Sequence, residues 1–480
     1  MNKLSLIALA CASLLPACSL MPTYERPNAP VAAQWPGMAT AADHKKESNQ
    51  TNKDLGWKDF FSDPTVRELI DTALANNRDL RVSVLNIEQA RAQLGIRRAD
   101  QYPTVNATVT GSRTPNNDGS IKSAYAGGLT VTAYELDFFG RVASLKEQAL
   151  AQYLATQEGS KTAHISLMAT VAQSWLSLLA DEELLSASRQ TLASREASLN
   201  LVSLRLQHGA ASELDLRLAQ TLRESARATL AQQQRQRALD ENALTLLLGQ
   251  ALPASAQAKL ANAQLGALRF ADLPAGLPSE LLARRPDIRQ AEQQLIASHA
   301  NIGAARAAFF PRISLTVGAG SASGELAGLF KDGSWGWTLA PQLVLPIFDA
   351  GRNQANLDSA KVTRDIAVAQ YEKAIQSAFR EVSDALAGRD TLAQQLQASQ
   401  ALLDAETARS NLTKLRFDKG AASQLDWLDA QRSLFAAQQA LIQTRLASLQ
   451  NQVVLYKVLG GGFLAEPSPD TVAQTTGAAR

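Results

Sequence analysis

Cysteine is nearly missing from this chain. Cys11 and Cys18 are the only two among 480 residues, and both lie near the N-terminus. No disulfide framework can therefore staple the body of the protein. Aromatic residues are few, at 5%. Neither sign of charge dominates: Lys and Arg number 47, Asp and Glu 45, for a net charge of +2. That balance excludes the basic footprint of a nucleic-acid binder. The four histidines, His44, His164, His208 and His299, are scattered, with none at metal-ligand spacing. Beyond the first residue, Met21, Met38 and Met168 are too few to line a path for a soft metal ion. Phosphate-loop, nucleophile-elbow and zinc-protease motifs are absent as well. No enzymatic activity, cofactor or metal site is expected. After the N-terminus no apolar run reaches the roughly 18 residues of an ordinary transmembrane helix.

What is present begins with a targeting segment. Lys3 precedes an apolar stretch from Leu4 to Leu15, and Pro16-Ala17-Cys18 closes it. LPAC followed by Ser19 resembles a bacterial lipobox, with residues 1–17 as signal peptide and Cys18 as the lipid-attachment site. A plain signal peptide cut nearby is the alternative. Several acyl chains on Cys18 would anchor the chain stably. Ser19, with no Asp there, resembles the signal for outer-membrane sorting.

The chain is also duplicated. LRLQHGAASELDLRLAQ (204–220) matches LRFDKGAASQLDWLDAQ (415–431), with 211 residues between equivalent positions, and Gly140-Arg141 matches Gly351-Arg352 at the same spacing. The expected organisation is a lipid anchor and extended linker at 18–61, a first repeat at 62–250, a connector at 251–278, a second repeat at 279–461 and a C-terminal tail at 462–480. In each repeat a helix precedes two strands, near 103–113 and 124–138, then near 311–320 and 335–348. Long helical hairpins follow, near 140–248 and 351–459. Asp63-Pro64 reads as the cap and first residue of the leading helix in copy one, and Ser279 takes that part in copy two.

The strand segments alternate. Val105, Ala107 and Val109 share one parity, as do Leu129, Val131 and Ala133, then Ile313, Leu315, Val317 and Ala319, and last Trp337, Leu339, Leu343 and Leu345. The other parity is small and polar. About 10 residues of such alternation is the pattern of a membrane β-barrel strand, and it also suits two hairpins on a soluble sheet. Only long helices adjoin these strands, leaving a soluble sheet nothing to pack on. Four strands cannot close a membrane barrel, and open edges are not tolerated in hydrocarbon. Several chains must therefore contribute to one barrel.

Between 141 and 207 there is no proline and one glycine, Gly159. As one helix this stretch would run roughly 100 Å. Leucines at 178, 185, 192, 199 and 206 give a coiled-coil-like heptad spacing. A soluble coiled-coil spacer in the cell envelope would share that pattern. Both hairpins turn through Gly209-Ala210 and Gly420-Ala421, then restart at Ser212 and Ser423. Ser212 with Asp215, and Ser423 with Asp426, fit the capping box. Asp426 can therefore be a helix cap or a functional carboxylate. Asp429 lies one turn on, and the first copy has Leu218 in its place. Leu425 shares its helix face.

The motifs YELDFFGRV (134–142), LPAGLPSELLARRPDIRQAE (273–292), NIGAARAAFFPRISLT (301–316), LPIFDAGR (345–352), LDAQRSLFAAQQ (428–439) and LYKVLGGG (455–462) carry a resemblance. The chain resembles the TolC-like outer-membrane factors, in the lipoprotein branch that serves RND-type multidrug efflux (OprM/NodT family). The resemblance implies an α+β membrane protein: a homotrimer, four strands per chain in a shared β-barrel, continued by a long periplasmic α-helical barrel. It implies passive conduction of drugs or other small toxic compounds out of the cell. It also implies two partners, a periplasmic membrane-fusion adaptor and an inner-membrane RND transporter. Gly209, Ala210, Ser212, Gly420, Ala421 and Ser423 would form adaptor-facing tips, and Leu425, Asp426 and Asp429 a periplasmic gate. Residues 251–278 would belong to an equatorial belt. A conduit for type I protein secretion shares this architecture and is the rival reading.

Overall fold

The computed structural model describes residues 19–32, 35, 55–115, 117–261, 264–273 and 284–461. Cys18, the signal segment, Ser279 and the C-terminal tail lie outside the described residues. The elements are α1 (Trp57–Phe60), α2 (Pro64–Asn76), α3 (Arg78–Ala99), β1 (Val105–Pro115), β2 (Ile121–Leu136), α4 (Arg141–Gln207) and α5 (Glu213–Leu248). They continue as α6 (Ala254–Leu260), α7 (Pro286–Ala307), β3 (Arg312–Ser323), β4 (Trp335–Val344), α8 (Arg352–Asp418) and α9 (Gln424–Val458). The chain divides into two compact units.

One unit comprises residues up to Ala29, Leu85–Glu158 and Asp287–Ala374, and it holds the sheet. The four strands form one antiparallel sheet in the order β1-β2-β3-β4. Register decides which side chains share a face. Val105, Val131, Val317 and Leu339 lie in one cross-strand row, and Ala107, Leu129, Ala319 and Trp337 in another. Between them runs Asn106, Thr130, Gly318 and Thr338. The period-two pattern thus sorts into an apolar face and a small, polar face. The apolar face is bare: Val109 is 83% exposed and Leu339 56%. At the centre Gly128 opposes Gly320, and a Cβ on either would fall 2.4 Å from a backbone oxygen of the paired strand. Only glycine fits at that pair.

The sheet departs from the alternation in two places. Ala133 does not continue the face of Val131, because a bulge shifts the register between Val131 and Tyr134. Ala133 takes φ 52°, and its N–H turns to Thr316 Oγ1 at 3.1 Å. The last strand stops at Val344, short of Leu345 and of position 348. Pro346 removes the next ladder donor and forces the chain out of the sheet. At the start, β1 opens at Val105, two residues after Pro103, and β2 opens at Ile121 rather than near 124.

The other unit comprises Pro30–Val84, Gly159–Pro286 and Ile375 onward, and it holds the core. Asp63 Oδ1 accepts the N–H groups of Thr65 (2.9 Å) and Val66 (3.2 Å), with Pro64 in first position, and so starts α2. The buried stripe of α2 (Val66, Leu69, Ile70, Ala73) joins Met168, Trp175, Leu176 and Leu179 of α4 and Leu244 and Leu248 of α5. Phe60 stacks on Tyr456 at 4.3 Å and 5°. This packing accounts for the hydropathy of α4: its most apolar window, of mean hydropathy 1.2, is 56% buried by the chain itself. Truncating the fully buried Trp175 removes a core anchor worth about 3–5 kcal/mol.

Candidate functional site at the hairpin turns

Both turns are built the same way. Gly209 and Gly420 take φ 72° and 71°, the left-handed conformation that stops a helix without a Cβ clash. Their N–H groups donate to Leu206 and Phe417, and those of Ala210 and Ala421 donate to Arg205 and Arg416. Gly209, Ala210, Ser212, Gly420, Ala421 and Ser423 are all exposed.

The capping boxes then form in full. The Asp426 N–H donates to Ser423 Oγ at 3.1 Å, and Asp426 Oδ2 accepts from the Ser423 N–H (2.9 Å) and hydroxyl (2.7 Å). Asp215 and Ser212 repeat the pattern at 2.9, 2.7 and 3.1 Å. The hydroxyl and N–H of Ser423 hold the Asp426 carboxyl below its ordinary range, so it stays ionised. Geometry therefore gives Asp426 the helix-cap role.

Asp429 has different partners. Arg432 Nη2 donates to Asp429 Oδ1 at 2.6 Å from the next turn of α9. Arg409 Nη2 of α8 lies 3.6 Å from Asp429 Oδ2, while its Nε pairs with Glu406 at 2.8 Å. Leu425 is 60% exposed, as befits a residue with no core to enter. Leu425, Asp426 and Asp429 line one cavity of about 480 Å³ together with Arg409, Thr413 and Arg416. The structure thus brings the three candidate residues to one wall, and sets the guanidinium groups of Arg409 and Arg432 beside Asp429.

Sequence reasoning missed those arginines. Arg432 carried a signal, since it follows Asp429 by one helical turn on the same face. Arg409 carried none, because only the hairpin brings it across. Arg195 of α4 was missed too. It is 4% exposed, and its Nη1 donates to Gln431 Oε1 at 3.0 Å and reaches the Leu428 carbonyl at 3.5 Å. Burial, then the Arg432 charge, lowers its pKa. Among the described residues there is no cluster of His, Cys, Asp and Glu able to hold a metal ion.

An exposed apolar sheet face, two open sheet edges and paired helical hairpins define the class of an outer-membrane channel subunit. The chain belongs to the outer membrane efflux protein family, whose model matches residues 69–250 and 277–461. It is 48% identical over 467 residues to the probable efflux pump outer membrane protein TtgC of Pseudomonas putida, covering 96% of each chain. It is 47% identical to the outer membrane protein OprJ of Pseudomonas aeruginosa, over 95% of each. A membrane protein from Pseudomonas aeruginosa, solved by crystallography, superposes with a TM-score of 0.85 at 45% identity, over 94% of this chain and 99% of that one. The open-state MtrE outer membrane channel of Neisseria gonorrhoeae gives 0.83 at 40% identity, over 93% and 98%. The protein is an outer-membrane efflux channel. Its fold class is the expected one: a trimeric β-barrel with four strands per chain, continued by periplasmic helices, on a duplicated sequence. Family and relatives are channel or transport proteins, and their names speak for efflux rather than for protein secretion.

Proposed function

We propose that this channel is the passive exit duct of a tripartite pump, joined through an adaptor to an RND transporter that supplies the energy. The relatives are named for antibiotic, toluene and solvent efflux, and small apolar or amphiphilic toxic compounds are the substrates proposed here. The observation that carries the reading is the sheet. β1 and β4 both end it with unpaired edges, and its outward rows are apolar. In hydrocarbon those edges must pair, which strands of neighbouring copies can do. The duct performs no catalysis and binds no cofactor.

In this reading Gly209, Ala210, Ser212, Gly420, Ala421 and Ser423 meet the adaptor. Leu425 and Asp429 constrict the periplasmic mouth, and Asp426 shapes it by capping α9. Cys18 carries the lipid anchor. Three copies of Asp429 around one axis would repel, and Arg409 and Arg432 offset that repulsion in the closed state. Opening would move the α8–α9 hairpin between two packed arrangements. The purified protein in a planar bilayer should give discrete ion-conducting steps. A protein that inserts as trimers without conducting would exclude the duct.

A further inference from the structure

The two loops at the free end of the sheet differ. Residues 116–120, between β1 and β2, read NNDGS and hold no apolar side chain. Residues 324–334, between β3 and β4, read GELAGLFKDGS. Here an apolar run from Leu326 to Phe330 stands between Glu325 on one side and Lys331 and Asp332 on the other. Leu326 is 66% exposed and Phe330 85%, whereas Leu329 between them is 5% exposed.

The longer loop folds back over the apolar face of the sheet. Val109, Gly127, Ser321 and Trp335 form one cross-strand row of that face, and its two central members are the small ones. A Cβ on Gly127 would meet Leu329 Cδ2 and Val109 Cγ2, each at 3.8 Å. Leu329 thus lies over the hollow at Gly127, on the side to which Val109 points. Gly328 marks the same side. A Cβ there would fall 2.5 Å from Ser323 Oγ, and Ser323 pairs with Tyr125 in the next row of that face. Ser321 lies two residues before the end of β3, so the loop returns about 7 Å along the sheet.

The loop satisfies much of its own backbone. The N–H groups of Gly328, Leu329 and Lys331 donate to the carbonyls of Glu325 (3.0 Å), Leu326 (3.3 Å) and Gly328 (3.2 Å). The Ser334 N–H donates to Lys331 at 3.1 Å, and its hydroxyl lies 2.7 Å and 3.0 Å from the Lys331 and Leu329 carbonyls. Backbone paired within the chain is what hydrocarbon tolerates. Gly127 and Ser321 belong to the two central strands, away from the β1 and β4 edges at which copies pair in a shared barrel. A neighbouring copy therefore does not cover Leu326 and Phe330 by pairing there.

We propose that the β3–β4 loop is a membrane anchor, with Leu326 and Phe330 entering the acyl chains of the outer leaflet around the barrel. The occupant follows from continuity, because the loop lies on the face that the barrel turns to lipid. Trp335 and Trp337 stand on the same face, 68% and 67% exposed, as residues of a membrane interface do. Glu325, Lys331 and Asp332 at the ends of the apolar run mark where the loop returns to water. The helices adjoin the opposite ends of the strands, so this end is the outer one. The inference rests on the outer-membrane barrel and adds that this loop grips the lipid and leaves the exit mouth clear.

Nitroxide labels test it on full-length trimers in vesicles of phosphatidylethanolamine and phosphatidylglycerol. Labels at Leu326→Cys and Phe330→Cys should collide with oxygen more than with a water-soluble nickel chelate, as should a label at Val109→Cys on the sheet. A label at Asn117→Cys, in the polar loop, should show the reverse, with an oxygen-to-nickel ratio several-fold lower. Nickel-favoured collisions at both Leu326→Cys and Phe330→Cys, with Val109→Cys still oxygen-favoured, would overturn the anchor. So would strong dipolar coupling among the Phe330→Cys labels of the three copies, which would place the loop across the exit. Nickel-favoured collisions at Val109→Cys would instead overturn the placement of the sheet in lipid, and the anchor with it.

Discussion

At the residue scale, Asp429 is the sharpest functional candidate. It stands out in the sequence because the other copy carries Leu218 there, and that comparison needs no structure. Its surroundings were not legible. The capping of Asp426 follows from residue spacing alone, but the approach of Arg409 depends on how α8 and α9 pack across the turn. The two arginines change the expected electrostatics. A ring of bare carboxylates would be strongly cation-selective, whereas carboxylates paired at 2.6 and 3.6 Å are largely neutralised. Asp429→Ala should raise bilayer conductance, because it removes the group that ties α9 to α8 beside the proposed constriction. Arg432→Ala should instead unmask the acid and shift the reversal potential toward greater cation selectivity. Conductance and selectivity unchanged in both variants would place the constriction elsewhere.

At the element scale, the packing of α4 on α5 contains a buried acid. Asp181 is 7% exposed, and its carboxyl faces that of Asp240. Burial first, then the Asp240 carboxyl, raises the Asp181 pKa to about 8, with Arg237 opposing and Glu182 adding to the rise. A folded-state pKa above the unfolded one means that the folded protein holds the proton more tightly. The associated stability is present below the unfolded carboxylate value, about 4, and is lost as pH rises toward about 8. Asp181→Asn should flatten the melting temperature across that range and raise it most at the alkaline end. A variant with the parent's pH profile would show that the pair does not share a proton. The elements themselves were legible to differing degrees. The strands announce themselves by parity, and the long helices by the want of proline and the heptad leucines. The bulge at Ala133 has no such mark, because the residue is ordinary and only the ladder to β3 imposes its φ. The early stop of β4 was marked by Pro346, whose missing donor outweighs the apolar parity of Leu345.

At the scale of the whole molecule, anchoring has two possible sources, lipid on Cys18 and the apolar sheet. The arm after Cys18 is strapped within the sheet-bearing unit. Arg306 Nη1 donates to the Leu20 carbonyl at 3.3 Å, and Met21 packs against Gly303, where a Cβ would leave only 3.0 Å. Further on, Glu292 accepts from Tyr24 at 3.0 Å and from Arg26 twice at 2.7 Å. Each partner lies on α7, the helix that leads into β3. Acyl chains on Cys18, two residues before Leu20, would then enter lipid beside the start of that strand. Lipid and sheet face would serve the same membrane, and the sheet presents its own exposed apolar rows to it. Cys18→Ser should therefore abolish incorporation of labelled palmitate yet leave membrane-inserted, conducting trimers. Persistent labelling would remove the lipoprotein reading. Loss of insertion along with the label would show that the lipid, and not the sheet, directs the chain into the membrane.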